Sequence, residues 1–432
     1  MRVRLTLLIT KLIRYILVKM GRGGSLPGTI ALRLCPDILK HISYPEIIVM
    51  VTGTNGKTST NNMMYEILKK KYKKVISNLK GDNLKDGIVT LILSNTKFDL
   101  KCHCDAISIE VDELNTPKVL QDVPVSHFVI MNFFRDQLDR AGEMETIISK
   151  INNALPLFHG ELILNGDDPN VARLGYKREK TYYFGMAKTE ESTQTSEEAK
   201  EGKFCFHCQT PLKYEFYQYS HIGRYTCPSC DFGSHILDVE GYDVSLEKNE
   251  FKVDGFTFKS PKDTLYTMYN SLAVILMAKR LQVTNENVYD VLASFTLNKG
   301  RMERIDIGRE CLVNLIKNPA GANETMKYII RDKEDKDILI AINDNVPDGI
   351  DVSWIYDTNF ELIFGDDVKN IVCTGLRAYE MALRIKYSSF NGNVYVEENY
   401  VDAIKLFKSL ENHGYVMAVY TALQPILSIL RR

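Results

Sequence analysis

Thr52-Gly53-Thr54-Asn55-Gly56-Lys57-Thr58-Ser59 is the stretch on which the reading of this chain turns. It follows Glu46-Ile-Ile-Val-Met-Val51, a short β-branched run, and precedes a helical pattern through Met63, Met64, Ile67 and Leu68. Strand, glycine-bearing loop and helix in that order open an α/β unit. The glycines let backbone N–H groups curl toward phosphate oxygens at a helix N-terminus. Lys57 can set an ammonium near the β- and γ-phosphates, and the Thr58 hydroxyl can ligate Mg²⁺. The general GxxxxGK[ST] pattern is not met, because Val51 stands at its first glycine, and the shorter GTNGKT form is present instead. A glycine-rich turn with an incidental lysine is the plainer alternative. ATP binding by Gly53, Thr54, Asn55, Gly56, Lys57, Thr58 and Ser59 is the reading adopted.

Working outward, further strand candidates are Val75–Ser77, Ala106–Val111, His127–Met131 and Glu161–Leu164, separated by segments that can be helical. That alternation predicts a largely parallel sheet with helices on both faces. Ala187–Lys203 is a polar stretch rich in Glu, Ser and Thr and reads as an exposed connector. Tyr242–Phe258 alternates as antiparallel strands do, with Asn249 near a turn, and Leu265–Leu281 reads as an apolar helix. A second α/β domain is expected to begin around Asn298-Lys-Gly-Arg301. The expected organisation is a lead-in segment over 1–45, a central ATP-binding domain over 46–299 and a smaller α/β domain over 300–432.

At 432 residues the chain exceeds the roughly 100–200 residues usual for one domain. Apolar residues at 45% and charged residues at 25% exclude a disordered or collagen-like chain. Lys and Arg number 54 against 55 Asp and Glu, so no global charge draws the chain to nucleic acid, and none is expected as a partner. A phosphate-rich ligand would need a local site.

Nine cysteines are too few for a disulfide scaffold in a chain this long. Four of them form Cys205-x2-Cys208-x18-Cys227-x2-Cys230, the spacing of a zinc ribbon inserted over about 203–235. Four thiolates close a tetrahedral site at about 2.3 Å per bond, so the zinc would be structural. His207 and His221 fall close by in sequence but are not needed as ligands. Cys35, Cys102, Cys104, Cys311 and Cys373 are scattered, which fits a reducing, cytoplasmic compartment.

The first twenty residues, MRVRLTLLITKLIRYILVKM, are interrupted by Lys11, Arg14 and Lys19 and leave no run of about 18 apolar residues to cross a bilayer. As a helix they gather Leu5, Leu8, Ile9, Leu12, Ile13 and Ile16 on one face. Such a helix could rest on an anionic membrane at the inner face of the cell, or pack on the protein's own core. Both readings stay open at this point.

TGTNGKTST resembles the phosphate loop of the Mur ligase superfamily, whose members join an amine to a carboxylate through an acyl phosphate. Other matches follow in family order. Glu110, in Ser108-Ile-Glu-Val-Asp-Glu113, matches the Mg²⁺-binding glutamate. Asn132-Phe-Phe-Arg-Asp136-Gln-Leu-Asp139-Arg140 resembles an Asn…Asp-His-Leu-Asp segment, with Gln137 in place of the histidine. Asn165-Gly-Asp167-Asp168 matches a nucleotide-proximal segment, and Asn270 matches an asparagine that faces the adenine. Gly300-Arg301-Met-Glu303 matches a hinge whose arginine can approach the terminal phosphate.

The inserted ribbon, Gly21-Arg-Gly-Gly24-x-Leu-Pro-Gly28, Lys317-Asn-Pro-Ala-Gly321 and Asn343-Asp-Asn345-x2-Asp348-Gly-x-Asp351-Val-Ser-Trp354 resemble one branch, the MurT family. Its members are synthetase subunits of lipid II isoglutaminyl synthase. The resemblance implies a Mur ligase-like P-loop ATPase fold. It implies ATP-dependent amidation of the D-glutamate α-carboxylate of lipid II, with ammonia from a GatD-type glutaminase in a heterodimer. Lys57, Glu110, Asp351 and Asp348 are the implied catalytic residues, one of the aspartates completing the partner's Cys–His pair across the interface. An amino-acid-adding Mur or folylpolyglutamate-type ligase is the rival enzyme reading, and an ATP-gated binding module the non-enzyme one.

Overall fold

The computed structural model describes the whole chain apart from residues 22–23, 80, 136–143, 197–200 and 298–299. It divides into two compact units, one built from Met1–Phe133 and Glu145–Phe295, the other chiefly from Thr296–Arg432.

The first unit is organised by a nine-stranded sheet. Its middle strands are β1 (Ile47–Thr52), β2 (Val75–Ser77), β3 (Ala106–Glu110), β4 (His127–Ile130), β5 (Glu161–Asn165) and β6 (Thr181–Met186). They run parallel in the order β6-β5-β4-β1-β3-β2. β1, β3 and β4 are buried along almost their whole length, as expected for parallel strands covered on both faces. The expected strands therefore form, and β1 sits between β3 and β4 where the chain order reverses. In open α/β sheets that crevice, at the carboxyl ends of the strands, is where ligands bind.

The sheet's other end is antiparallel. β9 (Val239–Ser245) pairs parallel to β6, then β10 (Glu250–Val253) and β11 (Phe256–Lys259) follow as antiparallel neighbours. Asn249 takes φ +57 at the expected turn. Between β6 and β9 the chain leaves the sheet to form a separate hairpin, β7 (Lys213–Tyr219) with β8 (Ile222–Thr226). The polar connector is not wholly free of structure. Thr193 bridges Tyr217 of this hairpin, and the Ser192 hydroxyl donates to Gln218 Oε1 at 2.9 Å.

The second unit carries a six-stranded sheet. β12 (Glu303–Asp306) and β13 (Glu310–Leu315) form its antiparallel edge. β17 (His413–Ala418), β14 (Lys336–Ala341), β15 (Val368–Thr374) and β16 (Asn393–Val396) follow in parallel. At the buried start of β14, Asp337 accepts from Arg309 at 2.7 Å, Asn370 Nδ2 at 2.6 Å, and Asn412 N and Nδ2 at 3.0 and 2.9 Å. Burial alone would raise its pKa, but these donors outweigh it and hold the carboxyl below the usual range. A lowered folded-state pKa gives stability that is present above the unfolded value and lost as pH falls. Asp337→Ala should therefore cost about 3 kcal/mol or more, by stranding the Arg309 charge. Thermal melts of the two proteins should differ most at neutral pH and converge as the solution is acidified below about pH 4.

Candidate active site

The phosphate loop is shaped by its neighbours as much as by its glycines. Gly56 caps the helix Lys57–Lys71 in the left-handed region at φ +84, and a Cβ there would overlap the Asn270 side-chain oxygen. Gly53 has φ +131, and a Cβ on it would lie 2.9 Å from the Asn132 carbonyl oxygen. Asn132, just beyond β4, clamps the loop from the side. Its carbonyl accepts Thr54 N at 2.8 Å, its Oδ1 accepts Asn55 N at 2.8 Å, and its Nδ2 donates to Asn55 O at 3.1 Å.

Lys57 is buried and turned onto the loop. Its ammonium donates to Gly53 O and to Thr54 O, and pairs with Glu113 Oε1 at 3.0 Å. Glu113 had no role in the sequence reading. A second carboxylate three residues beyond the strand-end glutamate was the available signal. Thr58 and Ser59 occupy the first helical turn, Thr58 partly exposed and Ser59 buried.

Glu110 ends β3 opposite Val51 and is 2% exposed. Asn78 holds its backbone on both sides, at 2.9 and 2.8 Å, and Asn83 Nδ2 donates to Oε1 at 2.9 Å. Its Oε2 is buried without a hydrogen-bond partner. A buried carboxylate oxygen left without a donor is costly unless a cation compensates it. The pocketed oxygen and the glycine cradle therefore fit a Mg²⁺-bound nucleotide phosphate chain.

The carboxylates of the Asn165–Asp168 segment are held in buried contacts within the fold. Asp167 and Asp168 are fully buried. Asp168 caps the short helix Pro169–Ala172, accepts Phe133 N at 2.9 Å through Oδ2, and faces His221 Nε2 at 3.2 Å through Oδ1. His221 lies in the turn of the β7–β8 hairpin, so it braces that hairpin against Asp168, which also receives the backbone N–H of Phe133, next to Asn132. Burial lowers the His221 pKa, but the Asp168 charge and hydrogen bond together with the Glu201 charge outweigh it and raise the value overall. Asp167 Oδ2 accepts Tyr269 OH and Met186 N, each at 2.7 Å, and burial pushes its pKa up to about 6. The rest of the segment that begins at Asn132, Asp136 through Arg140 with Gln137, lies outside the described residues.

The four ribbon cysteines converge. Cys205 and Cys230 sulfurs are 3.6 Å apart, Cys208 and Cys227 3.4 Å, and Cys208 and Cys230 3.8 Å. A tetrahedral site with about 2.3 Å metal–sulfur bonds has edges of about 3.8 Å, whereas a disulfide needs about 2.05 Å. The donor set fits zinc. Cys35, Asp37 and His41 also come together, but Cys35 Sγ and His41 Nε2 bond to Asp37 at 3.3 and 3.0 Å and account for that grouping.

In the second unit, Asp348 and Asp351 part company. Asp348 is buried, accepts Thr421 N at 2.8 Å and takes the Thr421 hydroxyl as well, anchoring the start of the last helix, Tyr420–Leu430. Burial raises its pKa. Asp351 lies at the surface, where Ser353 N donates to Oδ1 at 2.8 Å and hydrogen bonding holds its carboxyl below the usual range. Arg301 follows Gly300, whose φ is +79, at the entry to this unit. Asn318 caps the helix Pro319–Ile329 by accepting Gly321 N at 2.9 Å.

Two family descriptions match, "Mur ligase middle domain" over residues 51–227 and "MurT ligase C-terminal" over residues 315–423. The lipid II isoglutaminyl synthase (glutamine-hydrolyzing) subunit MurT of Staphylococcus aureus strain COL is 33% identical over 424 residues, covering 95% of this chain and 93% of that protein. The chain belongs to the MurT family. The MurT subunit of Streptococcus pneumoniae R6 is likewise 33% identical, over 98% of this chain and 96% of that one. Among solved structures, a pseudomurein peptide ligase type C from Methanothermus fervidus aligns at a TM-score of 0.73 and 21% identity, over 92% of this chain and 80% of that one. That likeness shows a shared Mur ligase fold. MurT membership makes the chain a ligase subunit with the expected α/β P-loop architecture.

Two outcomes follow for this MurT chain. Gly56→Ala should destabilise it by about 1–2 kcal/mol, from the left-handed backbone alone, and weaken nucleotide binding, measured by calorimetry with a non-hydrolysable ATP analogue. Metal analysis should find stoichiometric zinc that Cys227→Ser removes, with a lower melting temperature for the first unit.

Proposed function

We propose that this chain is the synthetase subunit of a lipid II isoglutaminyl synthase. It amidates the α-carboxylate of D-glutamate in the lipid II stem peptide at the inner face of the membrane. The observation that carries the reading is one chain with two features: a Mur-type phosphate loop beside the orphaned Glu110 oxygen, and a MurT-type C-terminal unit presenting Asp351 at its surface.

ATP, held with Mg²⁺, supplies the phosphoryl group that converts the carboxylate to an acyl phosphate, from which attacking ammonia releases inorganic phosphate. The Thr54 and Asn55 amides are taken by Asn132, so the amides that would face the phosphates are those of Gly56 and Lys57 at the helix N-terminus. Lys57 exchanges Glu113 and the loop carbonyls for phosphate oxygens, and so arrives already positioned. Glu110 Oε2, which no donor reaches, and the Thr58 hydroxyl would hold the Mg²⁺. Asn270 packs against Gly56 on the loop's flank and is the asparagine that family resemblance matches to the one facing the adenine, as Arg301 is the arginine it matches to the terminal phosphate. The ribbon thiolates hold zinc with no open position, a structural role.

Ammonia is mostly protonated at neutral pH, so a dedicated source is chemically sensible. A GatD-type glutaminase in a heterodimer is that source in this reading. Asp351, ionised and accessible, orients the partner's histidine as a triad carboxylate does. Asp348 is already committed to Thr421 and is not available for that work. Val346, Ile350 and Tyr356, exposed near Asp351 in sequence, provide apolar contact area for such a partner.

The test is an amidation assay with lipid II, Mg-ATP and either glutamine or ammonium, with and without a co-purified glutaminase. The expected product carries NH₂ in place of OH, forms with release of phosphate, and needs the partner only when glutamine is the donor. Asp351→Asn should lower glutamine-dependent turnover by about a hundred-fold or more while ammonium still supports the reaction. No amidation from either donor by an intact complex would overturn the reading, and ligation of an amino acid would point to the rival enzyme class.

A further inference from the structure

The first helix, α1 (Arg2–Lys19), is built inside out. Its buried residues are Thr6, Leu7 and Thr10, two of the three polar. The Thr10 hydroxyl is absorbed by the Thr6 carbonyl at 2.8 Å, which lets that face pack against the helices Leu26–Leu34 and Lys85–Asn95. Leu7 is buried and Val3, Ile9, Ile13 and Leu17 are partly covered, but five large side chains point the other way. Leu5, Leu8, Leu12, Tyr15 and Ile16 are each about half exposed or more, at 55, 50, 58, 58 and 49%. At about 100° per residue these five fall within an arc of about 100°, a continuous apolar stripe on the outer surface.

Single exposed leucines are ordinary, but a contiguous stripe on the outside of a packed helix marks an interaction surface. Charge says what kind. Residues 2–19 contain Arg2, Arg4, Lys11, Arg14 and Lys19 and no acidic residue, in a chain whose net charge is −1. Arg4 and Lys11 fall on one border of the stripe, and Lys19 continues it with its ammonium 4.6 Å from the Tyr15 ring. An apolar stripe edged by cations, with no anion, is complementary to an anionic bilayer surface and poorly suited to a helical protein partner, which would need compensating acidic groups. Among the described residues no helix is long and apolar enough to cross a membrane.

We propose that α1 docks this protein on the surface of an anionic membrane, with Leu5, Leu8, Leu12, Tyr15 and Ile16 entering the boundary between headgroups and acyl chains and Arg4, Lys11 and Lys19 held by lipid phosphates. The proposal goes beyond the amidation reading and does not depend on it. The helix is fastened to the ATP-binding unit through Thr6, Leu7 and Thr10, so the bilayer would hold that unit and not merely a tether.

The full chain is floated with vesicles of phosphatidylglycerol and phosphatidylcholine, or of phosphatidylcholine alone, all free of lipid II so that failure of the substrate reading does not affect the result. The protein should float with the anionic vesicles and lose much of that binding on zwitterionic vesicles or at high salt. The double variant Leu8→Glu, Leu12→Glu changes only exposed positions. It should melt at the wild-type temperature and bind anionic vesicles about ten-fold more weakly or worse. Wild-type protein that does not float, or binding that ignores the double substitution or the lipid charge, would overturn the proposal. So would light scattering that finds a lipid-free dimer which the double variant breaks, because the stripe would then be a seam between two copies.

Discussion

Asn132 is the constraint on which the phosphate loop depends. A loop of this composition is free to take many shapes, and glycine enlarges that freedom. Here the carbonyl and both ends of the carboxamide of Asn132 take hold of Thr54 and Asn55, and its backbone leaves no space for a side chain on Gly53. The strand pairing makes this possible: β1 and β4 are in parallel register with Thr52 opposite Ile130, so the residue two beyond β4 arrives beside the loop. The loop is thus ordered by the sheet before any ligand arrives, which lowers the ordering cost of binding.

The same grip explains how the fold accommodates an insertion beside its active site. The ribbon leaves after β6 and returns at β9, and those two strands still pair, so no ladder is broken. A two-stranded hairpin is marginal in water by itself. This one has a four-thiol cluster at its open end and the buried His221–Asp168 contact at its turn. Asp168 also receives the backbone of Phe133, next to Asn132. The insertion is therefore mechanically part of the wall that holds the phosphate loop.

Much of this was legible in the chain because its signals are local. Short apolar runs separated by segments that can be helical predicted β1, β3, β4 and β5, and the cysteine spacing predicted a cluster that the sulfur distances support. What escaped depends on contacts between residues far apart in sequence. His221 had no visible partner in its own neighbourhood, and Asp168 sits 53 residues away. The first helix showed its apolar side chains plainly, but which face turns inward is settled by the packing of Thr6 and Thr10. Periodicity reports a stripe, and not what lies on either side of it.

Carboxylates show the limit most clearly. Glu110 and Glu113 are three residues apart, as are Asp348 and Asp351, and in each pair both members look equally available in sequence. Folding separates them by what they find. Glu113 finds the Lys57 ammonium and Asp348 finds Thr421, so both are spent on holding the scaffold. Glu110 keeps a buried oxygen that no donor reaches, and Asp351 keeps its charge at the surface. An uncompensated buried carboxylate oxygen is stable only if something positive completes it. A carboxylate at the surface, held by the backbone and side chain of Ser353, needs no such partner. The distinction between a carboxylate that calls for a cation and one that does not is a difference in solvation, which residue type and spacing alone do not carry.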